Sequence, residues 1–185
     1  MARPKAISDE TVLDRIFEVI LETGPDGLTF ARAAQASGLS GATLVQRYGN
    51  REALVEAVLL HAWDRLDAET ERADAEAADT SEGAIDLLMR LMPPDAADRN
   101  VGDGLLLLRE DFRNPVLRAR GAAWGERLAT ALGRRLSKDP HRALRLGWQM
   151  ASIWQGAQTW WAFTRTEPAD MAIRRVLREW LEDVR

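Results

Sequence analysis

Residues 29–54 read Thr-Phe-Ala-Arg-Ala-Ala-Gln-Ala-Ser-Gly-Leu-Ser-Gly-Ala-Thr-Leu-Val-Gln-Arg-Tyr-Gly-Asn-Arg-Glu-Ala-Leu, and no other stretch constrains the fold so tightly. Two short helical segments flank the tight turn Gly38-Leu39-Ser40. Thr29 and Ser40 are placed to cap them. Ala34 lies four residues before Gly38, where two closely crossing helices require a small side chain, and no carboxylate occurs between Gly27 and Arg51. The pattern predicts a helix-turn-helix of the kind that docks on duplex DNA.

The rest of the chain is expected to be helical as well. Apolar residues recur at helical spacing almost throughout, with few β-branched clusters and no convincing two-residue alternation. Ser8 can cap a first helix, with Asp9 and Glu10 favourable in its first turn and Ile7 placed to staple against Val12. Its buried stripe is Val12, Leu13, Ile16, Phe17 and Ile20, and Gly24-Pro25-Asp26-Gly27 ends it. Asn50 caps a longer helix from Arg51 whose apolar stripe fades into an acidic, Ala-rich stretch at residues 67–79. Further helices are predicted at about 81–92, stopped by Pro93-Pro94; at 104–112; at 115–136, opened by Asn114-Pro115; at about 140–164, opened by Asp139-Pro140; and from Pro168 to the C-terminus. The fold class is therefore all-α, with about nine helices. A small three-helix domain over residues 1–52, carrying the helix-turn-helix, would precede a larger helical domain over residues 53–185.

Composition bounds the remaining classes. The 185 residues are 46% hydrophobic, enough for a real core, and they include no cysteine, which excludes disulfides and thiolate chemistry. A cytoplasmic location fits. No apolar run follows the basic N-terminus, so no secretory signal is read there. Residues 146–163 carry no charge, but Gln149, Ser152, Gln155, Gln158 and Thr159 are poor residues to bury in lipid, so a protein-packed helix is expected and no membrane partner. The net charge of −4 is strongly partitioned: −3 over residues 1–26, +3 over 27–51, −10 over 52–104 and +6 over 105–185. The helix-turn-helix segment thus combines local positive charge with the recognition pattern, and a small patch of that sign can bind phosphate on an acidic protein. The excess of arginine over lysine runs the whole length and is no signal of phosphate-binding surface.

Across residues 9–60 the chain resembles the TetR-type bacterial transcription regulators. The residues carrying the resemblance are Gly27, Thr29, Ala34, Gly38-Leu39-Ser40, Thr43-Leu44-Val45, Tyr48 and Arg51-Glu52-Ala53-Leu54. One departure is chemical: Val45 stands where the family usually has a phosphate-binding tyrosine. Arg47 stands where a histidine is common and is a candidate for the missing contact, and Arg51 replaces a lysine at a helix N-terminus whose amides also favour phosphate. The DNA-binding residues expected are Thr29, Arg32, Ser40, Gly41, Ala42, Thr43, Gln46, Arg47, Tyr48 and Arg51. Of these, Thr43 and Tyr48 suit either phosphate contact or packing. Base reading falls to Ser40, Gln46 and Arg32, with Ala42 or Thr43 against a thymine methyl, so part of the specificity should come from DNA shape and half-site spacing. Arg3 and Lys5 are candidates for a minor-groove arm, although a disordered terminus is the better reading.

The resemblance implies a homodimer through the last two helices. The sequence supports it independently, because the helix at 140–164 is apolar on more than one face. Trp154, Gln158, Trp161, Ile173, Leu177 and Trp180 are the expected interface residues. The resemblance also implies a pocket for a small-molecule effector, with Trp63, Met89, Met92, Leu106, Leu107, Phe112, Trp124 and Trp148 as candidate lining and a lipophilic or aromatic ligand favoured. These elements together predict a dimeric repressor released from a palindromic operator by its ligand. No cofactor or metal is expected, since His61 and His141 are isolated, and a helical ligand-binding enzyme is the lesser alternative, finding little support in nucleophile, metal or phosphate-loop patterns. The competing reading is a regulator of the same fold that contacts protein instead of DNA, which Gly41, Ala42 and Val45 favour.

Overall fold

Local capping chemistry sets most of the helix boundaries. The structure, a computed structural model, describes residues 7–92 and 97–184. Its helices are α1 (Asp9–Thr23), α2 (Phe30–Ser37), α3 (Gly41–Tyr48), α4 (Arg51–Glu76), α5 (Ser81–Arg90), α6 (Ala97–Arg113), α7 (Pro115–Leu136), α8 (Pro140–Thr164) and α9 (Ala169–Asp183), with a short 3-10 turn at Pro25–Gly27. The protein is all-α, with nine α-helices and no strand among the described residues. Ser8, Thr29, Ser40 and Thr80 each accept a main-chain N–H three residues on. Asn50 and Asp139 accept from Ala53 and Arg142 in the same way, and Asn114 accepts from Val116 and Leu117. Each such bond satisfies one of the orphan donors of a helix start and contributes about 1 kcal/mol.

One sequence expectation needs adjustment. Helix α6 begins at Ala97, seven residues before the predicted start at 104. The run from Asp98 to Gly104 carries two glycines and three charges, so apolar periodicity gives no signal there. Pro93-Pro94, the expected stop after α5, and the candidate arm residues Arg3 and Lys5 lie outside the described residues.

The chain divides into two compact units, one comprising Met1–Arg65 and Leu105–Arg120, the other Leu66–Gly104 and Gly121–Arg185. In the first unit Val12, Ile16 and Ile20 of α1 meet Leu28, Ala33 of α2, Leu44 of α3 and Leu54, Val55, Val58 and Leu59 of α4, and Leu117 of α7 completes this core. Each apolar stripe read from the sequence therefore points inward. The turn between α2 and α3 is closed by Gly38, whose φ of 75° is a left-handed conformation that strains any residue with a side chain, and its N–H returns to the Ala34 carbonyl. Arg15 of α1 donates to the Ser37 carbonyl at 3.1 Å, fastening the same turn from below.

Segment 105–120 is tied to the first unit by polar contacts as well. Asn114 donates to Glu56 at 2.5 Å, Arg109 pairs with Asp26 at 3.2 Å, and the Trp63 indole N–H donates to Asp111 at 3.0 Å. Asp111 is only 8% exposed, and this burial pushes its carboxyl above the ordinary 3.8, outweighing the Trp63 bond that favours the charged form. An acid whose folded pKa is raised is stabilising while protonated, and that contribution is lost as pH rises from 3.8 through the raised value. Asp111→Asn keeps the acceptor without the charge. It should therefore raise the thermal midpoint at pH 7 and give no gain at pH values below 3.8, as differential scanning calorimetry across that range would record.

The second unit is built on close helix contact. Its core joins Ile85, Leu87, Leu88 and Met89 of α5, Trp124, Leu128, Ala129 and Leu132 of α7, Leu146, Met150 and Trp154 of α8, and Ile173, Leu177 and Leu181 of α9. Helices α7 and α8 touch backbone to backbone: a Cβ on Gly147 would sit 1.9 Å from the Ala129 carbonyl oxygen, and one on Gly133 would sit 2.3 Å from that of Ala143. The C-terminus of α4 is capped from a distance by the buried Arg135, which donates to the main-chain carbonyls of Asp74, Ala77 and Ala78 and to the Asp74 carboxylate. Arg174 to Asp86 and Arg178 to Glu82 join α9 to α5.

Candidate nucleic-acid interface and C-terminal surfaces

Helices α2 and α3 form the helix-turn-helix that the sequence predicts, and the cap geometry decides which side chains remain available. Thr29 and Ser40 both spend their hydroxyls on cap bonds, to Arg32 N–H at 3.2 Å and Thr43 N–H at 3.1 Å. Thr43 and Ser40 share a further hydroxyl contact at 2.8 Å. The outward face of α3 is then Ala42, Val45 and Gln46, spaced three and four apart, with Gly41 half-buried beside them. Val45 is 47% exposed, so the position expected to hold a tyrosine hydroxyl presents a branched apolar surface instead. Tyr48 is half-buried and packs on the core of the first unit. Burial there raises its phenol above the usual value, the Asp9 charge adds to the shift, and Arg47 opposes it.

The arginines around this motif are all engaged. Arg32 donates to the Gly27 carbonyl at 2.6 Å and Arg47 to the Asp9 carboxylate at 2.5 Å. Arg51 donates through Nε to the Leu28 carbonyl at 2.7 Å and through Nη2 to that of Pro25 at 2.6 Å. The expectation of Arg47 and Arg51 as open phosphate-docking cations is changed by these partners. Arg51 clamps the start of α4 to the loop between α1 and α2, a role that needs the planar fork of a guanidinium and that no local sequence signal announced.

The candidate effector-lining residues divide between the two units. Trp63, Leu106, Leu107 and Phe112 belong to the first unit, where Trp63 and Leu107 pack on its core and Leu106 and Phe112 are exposed. Met89, Met92 and Trp124 are buried core of the second unit, with Trp124 donating to Thr70 at 3.0 Å, while Trp148 is exposed. A groove of about 510 Å³ in the second unit, between α4 and α7, is lined instead by Asp67, Thr70, Glu71, Asp74, Ala123, Glu126, Arg127, Thr130, Ala131 and Arg134, and it includes none of the eight. Charged side chains three and four apart on the two helices make it, a pattern that an apolar search overlooks.

The expected dimer residues also need correction. Ile173 and Leu177 are fully buried and Trp154 nearly so, because the α9 stripe and one face of α8 fill the interior of the second unit. Gln158, Trp161 and Trp180 are half-buried, and Trp161 is held by its own N–H to the Glu167 carbonyl at 2.8 Å. The outward apolar surface is Leu144, Trp148, Trp160, Phe163 and Met171; Trp160 and Phe163 are 71% and 78% exposed, with their rings 5.9 Å apart. Helix α8 thus has two apolar faces, as its sequence indicates, but periodicity alone could not tell which one turns inward. The Trp154 indole N–H is buried without a hydrogen-bond partner among the described residues. No helix among the described residues is long and apolar enough to cross a membrane, and no group of three or more His, Asp or Glu among them is placed to hold a metal.

A helix-turn-helix within an N-terminal helical unit, followed by a larger helical unit, defines a regulator-like fold, and the chain has the fold of TetR-type transcription regulators. A transcriptional regulator from Rhodococcus sp. Rha1 aligns over 96% of this chain and 97% of its own with a TM-score of 0.77 at 16% identity. A TetR-family transcriptional regulator from Streptomyces coelicolor aligns over 94% of each chain with a TM-score of 0.68 at 16% identity. The fatty acid degradation regulator FadR from Bacillus halodurans covers 96% of this chain and 97% of its own, with a TM-score of 0.66, also at 16% identity. No family model and no curated protein matches the sequence. At these identities the likeness establishes the fold, and function is argued from the site.

Proposed function

We propose that the protein is a DNA-binding transcription regulator of the TetR type, a dimeric repressor released from a palindromic operator by a small molecule, and not an enzyme. The observation that carries this reading is the exposed face of α3. It follows a left-handed glycine turn in a segment free of carboxylates from Gly27 to Arg51, within a fold otherwise found in transcriptional regulators. Residues 1–52 would form the DNA-binding domain and residues 53–185 the effector and dimer domain of a cytoplasmic protein. Gln46 would meet base edges, with Ala42 and Val45 against thymine methyls and Arg32, Arg47 and Tyr48 near phosphates.

Dimerisation is supported by the apolar face of α8 that remains exposed, centred on Trp148, Trp160 and Phe163, with Trp180 beside Trp148. A two-fold dimer would set the two α3 helices in successive major grooves, about 34 Å apart. The effector reading is supported by the unpartnered Trp154 donor in the second unit, a buried polar group that an acceptor on a largely apolar ligand would satisfy. For release to follow, the ligand must bind the DNA-incompetent dimer more tightly; a hundredfold preference is about 2.7 kcal/mol. Exposed Val45 favours one other reading, in which the same helix meets a protein partner.

Selection of bound sequences from random duplex DNA by the purified protein tests both. An enriched inverted repeat is the expected result. A single enriched half-site would keep DNA binding and remove the dimer, while no enrichment would overturn the regulator reading in favour of the protein-contact alternative.

A further inference from the structure

We propose that Asp9 is an intramolecular competitor for DNA phosphate: by holding Arg47 of α3, it lowers the affinity of the protein for duplex DNA of any sequence. The inference rests on the DNA-binding reading of α3. Asp9 is the first residue of α1 and Arg47 lies in the last turn of α3, 38 positions away, yet Nη1 and Oδ1 are 2.5 Å apart. A carboxylate and a phosphate offer a guanidinium the same pair of anionic oxygens, so the two compete for one site.

The neighbouring cations differ in kind. Arg15, Arg32 and Arg51 are held chiefly by main-chain carbonyls, which the fold supplies and no side-chain substitution removes. Arg47 is held by a side chain. Its pair is also open to solvent, with the two side chains 36% and 75% exposed, so the contact is weak enough for DNA to exchange. Beyond this pair Asp9 makes no other contact that would explain it: the α1 cap is made by Ser8, and among the described residues no second cation pairs with Asp9. Its charge is favourable at a helix N-terminus, but Glu10 supplies the same benefit in the same turn. On binding, Arg47 would leave the carboxylate for a phosphate, and the released Asp9 charge would stay beside the anionic backbone. Both effects oppose binding, and neither depends on base sequence.

The test uses the full chain with Asp9→Asn, Arg47→Gln and the double variant, titrated by fluorescence anisotropy against a random duplex and the selected site. Asp9→Asn should bind both duplexes about two- to fivefold tighter, the range of an exposed ion pair. The slope of log K against log salt should stay nearly the same, because Arg47 reaches a phosphate in both bound states. In the Arg47→Gln background the gain should largely vanish. Asp9→Ser, which also suits a helix start, should reproduce Asp9→Asn, with melting curves confirming that each variant folds. Equal affinities for the parent and Asp9→Asn, or the same gain with and without Arg47, would overturn the proposal while leaving DNA binding intact. Folded variants that all fail to bind any duplex would remove the DNA-binding reading and this inference with it.

Discussion

Arg51→Lys is expected to weaken DNA binding and lower stability almost as much as Arg51→Ala. The guanidinium bridges two main-chain carbonyls, Leu28 at 2.7 Å and Pro25 at 2.6 Å, through two nitrogens in one plane. A lysine ammonium is a point donor on a flexible stem and cannot span both acceptors in that geometry. Losing charge-assisted bonds to half-buried carbonyls should cost about 2 kcal/mol. The loop that enters α2 would then be released, and α2 positions α3. DNA affinity should fall at least about tenfold for either variant, because the recognition helix loses its fixed approach. A residue acting only as a phosphate contact would behave differently: lysine would retain most of the affinity and alanine would leave the melting temperature unchanged. Thermal unfolding and anisotropy on the two variants separate these outcomes, and full rescue by lysine would sink the clamp.

Gly147→Ala should be among the most damaging single methyls that can be added to the second unit. The new Cβ would lie 1.9 Å from the Ala129 carbonyl oxygen and 2.8 Å from its carbonyl carbon. The clash is with backbone, so no rotamer change relieves it, and α7 and α8 must separate. Overpacking of this kind costs about 1–3 kcal/mol or more, and separation of the helices also disturbs Leu128, Leu132 and Met150. A fall in melting temperature of roughly 5–10 °C is expected for a chain of this size. Gly156→Ala is the control: nothing lies within 4 Å of its added Cβ, so the same exchange on the same helix should be neutral or slightly stabilising. Equal effects at the two positions would refute close approach of α7 and α8.

The sequence was most legible where the physics is local. Ser8, Thr29, Ser40, Asn50, Asn114 and Asp139 are read as caps because each bonds an N–H two or three residues away, and the structure places all six bonds. The turn at Gly38 is legible for the same reason. The α1 stripe and the start of α4 follow from spacing on a single helix. Legibility ended where the partner is distant. The attachment of residues 105–120 to the first unit depends on Leu117, Asn114 and Asp111 meeting groups more than forty positions earlier. Arg135 is one of many arginines in the sequence, and only its four bonds to Asp74, Ala77 and Ala78 place it at the end of α4.

Sequence by itself determined the helical class, most helix boundaries and the existence of the helix-turn-helix, because periodicity, caps and a left-handed glycine are written within a few residues of where they act. Only the tertiary structure decided which face of α8 is buried and that Ile173 and Leu177 are core, since a stripe shows that a face is apolar but not what covers it. It also decided the duties of Arg47 and Arg51. A guanidinium on its long stem reaches acceptors that folding alone brings near, so an arginine's position in the chain does not disclose whether it holds the protein together or is available to its ligand.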